Sequence, residues 1–92
     1  MRVGIPKEIK NHEYRVGLTP DSVFDVVKAG HDVVVETNAG CGIDFDDDDY
    51  RAVGASIVDT AAEVFAASDM IVKVKEPQAQ EVAMLESRHI LF

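Results

Sequence analysis

The sequence predicts an α/β fold in which a parallel sheet is connected by crossover helices. Three observations carry that expectation. Short apolar runs alternate with stretches of helical period, as in strands joined by helices rather than in all-helical or all-strand chains. Val33-Val34-Val35 is a continuous β-branched run, suited to a central strand covered on both faces. Thr19-Pro20, followed by Val23, Val26 and Val27 on one face and by Gly30, supplies the start, the buried side and the left-handed stop of a helix.

Taken in order, Arg2 to Ile5 reads as the first strand, followed by a long polar loop to Thr19. The Thr19 helix leads into a strand from Asp32 to Glu36, then a loop from Thr37 to Asp44 in which Gly40-Cys41-Gly42 is a turn. Phe45 precedes a cap at Asp46 and is placed to staple onto Tyr50, opening a short helix that ends near Gly54. Ile57-Val58 is a brief strand. Thr60-Ala61-Ala62-Glu63 has capping-box spacing and starts a helix carrying Val64 and Phe65. Met70 to Val74 reads as another strand, Pro77 begins the next helix with Val82 and Leu85 on its buried side, and His89 leads into the apolar run Ile90-Leu91-Phe92. That run looks like the beginning of a buried strand, so residues 1–92 read as one incomplete unit.

Composition narrows the function. Hydrophobic residues make up 47% and charged residues 28% of the 92 residues, which places the chain among folded globular domains. A formal net charge of -8 opposes binding to phosphate backbones and anionic lipid surfaces, so no nucleic-acid partner and no membrane partner is expected. Cys41 is the single cysteine, which rules out an internal disulfide; with no signal-like or membrane-spanning run, a cytoplasmic setting is expected.

Ligands of open parallel sheets collect beyond the carboxyl ends of the strands. Two charged stretches fall there. One is the loop Lys7 to Arg15, and the other is Lys73-Val74-Lys75-Glu76-Pro77, where lysines alternate with valines and Lys75 sits at the strand end. A guanidinium matches a carboxylate as a two-pronged donor, and an ammonium can hold a carbonyl oxygen, so Arg15 and Lys75 together suit a small 2-oxo acid. Against this stands the ordinary fate of such residues, a snorkelling lysine and a surface ion pair. Asp46 to Asp49 lacks the ligand spacing and turn glycine of a calcium loop and reads as a helix start. His12, His31 and His89 have no metal-ligand spacing, Cys41 has no partner base in sequence, and no Gly-x-Gly-x-x-Gly occurs; metal and cofactor-binding residues are therefore expected to be none.

The run from Gly4 to Pro20, Gly-Ile-Pro-Lys-Glu-Ile-Lys-Asn-His-Glu-Tyr-Arg-Val-Gly-Leu-Thr-Pro, closely resembles the N-terminal signature of the alanine dehydrogenase and pyridine nucleotide transhydrogenase family. The resemblance continues through Lys28-Ala29-Gly30-His31, the Gly40 loop, Asp49-Tyr50, Gly54-Ala55 and Lys73 to Pro77, and so covers nearly the whole chain. Lys75 resembles the dehydrogenase branch, since transhydrogenase subunits tend to carry Asn there. The resemblance implies a flavodoxin-like (Rossmann-like) substrate half-domain, incomplete, without the dinucleotide-binding domain. It further implies Arg15 as a substrate-binding residue for the carboxylate and Lys75 as a substrate-binding and catalytic residue on the pyruvate oxygen. NAD as cofactor, L-alanine and pyruvate as substrates and a homo-oligomer, hexameric in the full-length family, are implied as well. The family's catalytic histidine and aspartate lie outside these residues, so the chain alone is expected to be inactive. The alternatives are a fragment of a proton-translocating transhydrogenase alpha subunit and a non-catalytic module that binds 2-oxo acids.

Overall fold

The computed structural model describes residues 1–8, 16–43, 45–74, 79–85 and 89–91. Five strands form one parallel sheet: β1 (Arg2–Ile5), β2 (Asp32–Glu36), β3 (Ser56–Val58), β4 (Met70–Ile71) and β5 (Ile90–Leu91), in the spatial order β3-β2-β1-β4-β5. The helices are α1 (Pro20–Lys28), α2 (Asp47–Ala52), α3 (Ala61–Ala67) and α4 (Ala79–Val82). The α/β class and the parallel sheet are as the sequence predicts. Of the two topologies paired in that expectation, the order is the Rossmann-like 3-2-1-4-5 rather than flavodoxin's 2-1-3-4-5.

Successive side chains of a strand point to opposite faces, and the valine run shows the consequence. Val33 and Val35 join one core with Val3, Ile5, Val23 and Tyr50, while Val34 joins a second core with Val64, Phe65 and Ile71. β2 is hydrogen-bonded on both edges, to β1 and β3, so it is the central strand expected.

Local chemistry sets the helices. α1 begins at Pro20 after Thr19, but the Thr19 hydroxyl caps no backbone N–H and donates to Ser22 Oγ at 3.4 Å instead; the fixed φ of Pro20 makes the start. The chain leaves α1 through Gly30, whose φ of +97° is the predicted stop. α2 carries a full capping box: Asp46 Oδ1 accepts from Asp49 N–H at 3.0 Å, and Asp49 Oδ2 accepts from Asp46 N–H at 2.9 Å. α3 is capped by Thr60, whose hydroxyl accepts from Glu63 N–H at 3.2 Å.

Two expectations are corrected. β4 ends at Ile71 and not at Val74, although Val72 N–H still donates to Gly4 at 3.0 Å. Beyond that point the backbone leaves the ladder, and Val74 N–H donates to a side chain. Val82, expected on a buried side, is 56% exposed; α4 is a single turn, and Leu85 beyond it packs on the second core without Val82. Pro77, expected to begin this helix, lies outside the described residues.

Candidate functional site

The strand order reverses direction at β1. From β1 the chain builds outward through β2 and β3, then α3 carries it back to β4 on the other side of β1. The carboxyl ends of β1 and β4 therefore flank the topological switch point, the usual ligand crevice of an open α/β sheet. Pro6, Lys7 and Glu8 leave β1 there, and Val72, Lys73 and Val74 leave β4.

A buried charge cluster fills this junction. Lys73 Nζ lies 3.3 Å from Glu8 Oε1 and 2.8 Å from Glu81 Oε2, and all three side chains are at most 2% exposed. The second oxygen of Glu8 accepts Val74 N–H at 3.1 Å. The Glu81 contact is a close charge contact whose directions fall outside hydrogen-bond geometry. Each Lys73 contact is worth about 5–6 kcal/mol at an effective dielectric near 20. Removing three ions from water costs several kcal/mol apiece, so the cluster is close to balance and adds little net stability. Its effect is geometric: it fixes where two chain segments leave the sheet.

A further carboxylate adjoins the cluster. Glu36, at the end of β2, accepts Lys7 N–H through Oε1 at 2.9 Å. Burial raises its pKa above the ordinary 4.5, and the nearby Glu81 carboxylate adds to this; the Lys7 N–H, Lys7 charge and Lys73 charge pull the other way without cancelling it.

The segment arriving from the first loop rests on the same junction. Val16 is buried in the larger core, and Gly17 lies directly on the backbone leaving β4, where a Cβ would meet the Val72 carbonyl oxygen at 2.5 Å unless the backbone shifted.

Arg15 and Lys75, the two predicted site residues, lie outside the described residues, as does His12. Their described chain neighbours Glu8, Val16, Gly17 and Val74 meet at the switch point. Sequence reading placed a site lysine at position 75, outside the described residues; among the described residues Lys73 is a buried ammonium, and its acids Glu8 and Glu81 were not singled out. The signal was present in the alternation of lysine with valine and in the need of a buried ammonium for a partner. The partner's identity was not readable, because Glu8 lies 65 residues away.

The remaining candidates have structural surroundings. His31 Nδ1 is 3.4 Å from the N-terminal amine, and His89 Nε2 is 2.6 Å from the Phe65 carbonyl with its ring edge-on to Phe65. Cys41 is exposed, its thiol 3.3 Å from Asn38 Oδ1. Asp47 takes Thr37 Oγ1–H at 2.6 Å and Asn38 N–H at 2.8 Å, tying α2 to the loop after β2, where Asn38 adopts φ 65°. Its burial acts to raise the pKa, but those two bonds and the Arg51 charge hold it below the usual aspartate value. No group of three His, Cys, Asp or Glu among the described residues is arranged to hold a metal ion. No described helix is long and apolar enough to cross a membrane.

Comparison with known proteins shows the family and the fold. Residues 4–92 match the family model described as alanine dehydrogenase/PNT, N-terminal domain. An alanine dehydrogenase of Halomonas elongata is 49% identical over 92 residues, all of this chain and 25% of that protein; one of Staphylococcus epidermidis is 51% identical, over all of this chain and 24% of that protein. A solved L-alanine dehydrogenase superposes with a TM-score of 0.95 at 47% identity, covering 99% of this chain and 25% of that one. A transhydrogenase from Sinorhizobium meliloti superposes with a TM-score of 0.91 at 37% identity, covering 99% of this chain and 27% of that one. The chain thus spans about a quarter of the length of the curated relatives it matches.

Proposed function

The chain belongs to the alanine dehydrogenase/PNT N-terminal domain family, and from that premise we propose that it is the substrate-binding part of an NAD-dependent alanine dehydrogenase, which interconverts L-alanine and water with pyruvate and ammonia. The observation that carries this reading is the Glu8–Lys73–Glu81 cluster at the switch point, which holds the described ends of the two segments that bear Arg15 and Lys75.

In this reading Arg15 takes the substrate carboxylate in a two-pronged contact, and the Lys75 ammonium holds the carbonyl oxygen, drawing electron density from the carbon that exchanges oxygen for nitrogen. Lys73 stays with its acids and does not approach substrate. NAD, as hydride acceptor, finds no fitting cradle here: the chain has no Gly-x-Gly-x-x-Gly, and the end of β1 presents the Glu8 carboxylate where a pyrophosphate would need backbone N–H groups. No step is therefore assigned to it on these residues.

The dehydrogenase reading is favoured over the transhydrogenase one by identities of 49% and 51% to alanine dehydrogenases, against 37% to the Sinorhizobium meliloti transhydrogenase, and by Lys75. Titration of the purified chain with pyruvate at neutral pH, followed by calorimetry, tests the site. Binding lost in both Arg15→Ala and Lys75→Ala is the expected result. Undiminished binding by these variants would overturn the assignment of the two residues, and no binding by a folded wild-type chain would overturn an independent site.

A further inference from the structure

Independently of the substrate reading above, we propose that Glu36 is a pH-sensitive latch on the exit of β1: its carboxylate holds the Lys7 N–H, and taking up a proton loosens that hold. The geometric basis is the place where the sheet's own pairing stops. The β1–β2 ladder ends at Ile5 and Val35, and the next residue, Pro6, has no N–H to donate. Lys7 supplies the first N–H beyond the ladder, and Glu36 Oε1 accepts it at 2.9 Å. A main-chain carbonyl would hold a strand exit at any pH. Here the acceptor is a side chain that can lose its charge.

The surroundings of Glu36 favour proton uptake. Among the described residues, the charges that act on it are Lys7 from the exit of β1, Lys73 from the exit of β4 and Glu81 from α4. On the other edge of β2 its register partner is Val58 of β3, which carries no charge. The Lys73 ammonium is already engaged by Glu8 at 3.3 Å and Glu81 at 2.8 Å, so little of its attraction is left for a third acid. Burial, with the Glu81 carboxylate added, outweighs the Lys7 bond and the two lysine charges, and Glu36 holds its proton to a higher pH than an exposed glutamate does. A carboxylate accepts an N–H about twice as strongly as a neutral carboxyl, so the Lys7 bond weakens when that proton binds. The folded chain binds it more tightly than the unfolded chain. The contribution of Glu36 to stability is therefore whole below pH 4.5 and is lost as pH rises through its raised folded value. The latch is thus closed where the charge opposes folding and loosened where the fold gains.

Glu36→Gln keeps the shape of the side chain and an oxygen for the Lys7 N–H while removing the titration. Both chains are followed by amide and carboxyl-carbon NMR and by urea unfolding, from neutral pH down to the onset of acid unfolding. In wild type the Lys7 amide and the Glu36 carboxyl carbon are expected to move together, with one midpoint above 4.5. In Glu36→Gln that transition of the Lys7 amide disappears. The urea midpoint of the variant lies above that of wild type at neutral pH, and the gap narrows as pH falls toward 4.5. A Lys7 transition that persists in the folded variant would overturn the proposal. So would a wild-type midpoint at or below 4.5, acid unfolding before the Lys7 amide has moved, or urea midpoints that stay a constant distance apart. If Glu36→Gln does not fold, the two wild-type signals decide: a shared midpoint above 4.5 upholds the latch, and separate midpoints refute it.

Discussion

The two faces of the sheet are built on different principles. On the face covered by α1 and α2, ten buried residues form one apolar cluster among the described residues, and its largest member, Tyr50, adds one hydrogen bond from its hydroxyl to the Leu18 carbonyl at 2.8 Å. On the face covered by α3, four buried apolar residues form the cluster among the described residues, and the helix approaches the sheet closely. Gly4 allows the approach: a Cβ there would stand 2.0 Å from Ser68 Oγ and 2.8 Å from Val64 Cγ1. Ser68 is itself fully buried and donates to Val64 at 2.6 Å. The first face is filled by volume, which tolerates small changes; the second is set by contact distance and charge, which do not.

The largest effect is expected where the charge balance is broken. Lys73→Met leaves Glu8 and Glu81 buried without their shared ammonium and is expected to destabilise the chain by roughly 3–5 kcal/mol, read as a shift of the urea midpoint. Replacing the cluster together, as Glu8→Leu, Lys73→Met and Glu81→Leu, is expected to recover most of that loss, since the three charges are removed at once. Recovery would confirm that the ions supply geometry and not stability on this face; a triple variant as unstable as the single one would refute the contrast drawn between the faces.

A smaller effect should come from contact distance alone. Gly4→Ala inserts a methyl group into the space occupied by Ser68 and Val64, and α3 must lift from the sheet or its side chains must leave their rotamers, at about 1–3 kcal/mol. Val35→Ile adds the same single carbon to the apolar layer on the opposite face and serves as the control. Thermal unfolding of the two variants should show the Gly4 substitution as the more damaging, and equal losses would mean that both faces are packed alike.

Most of this fold was legible because its signals are local. The Pro20 start, the Asp46 and Thr60 caps and the burial of Val33, Val34 and Val35 on both faces each follow from residues a few positions apart. The errors fall where distant residues decide. β4 stops at Ile71 because Val74 N–H bonds to Glu8, 66 positions away, and Val82 is exposed because α4 is too short for a helical period to define a buried side. The candidate site was legible in place but not in full. The switch point and its charged loops could be read from the strand-end lysines, whereas the choice of Lys73 as the buried ammonium required the Glu8 and Glu81 partners that only the fold brings together.

The mildest substitution tests the face filled by volume. Tyr50→Phe keeps the ring and removes the hydroxyl that bonds Leu18, so a loss of about 1 kcal/mol is expected near neutral pH, with the layer otherwise intact. The same hydroxyl gives this face an alkaline signature. Burial, aided by the Asp49 carboxylate, pushes its pKa up from 10.0 to about 12. An acid whose pKa is raised on folding holds its proton more tightly in the folded than in the unfolded chain. Its contribution to stability is therefore whole below pH 10 and falls away as pH climbs from 10 toward about 12. Urea midpoints measured across that interval should decline more steeply for wild type than for Tyr50→Phe, and the gap between the two curves should close within it. Parallel curves would mean that the Tyr50 hydroxyl is as free to ionise in the folded chain as in the unfolded one, and the apolar face would then be more open to water than its packing implies.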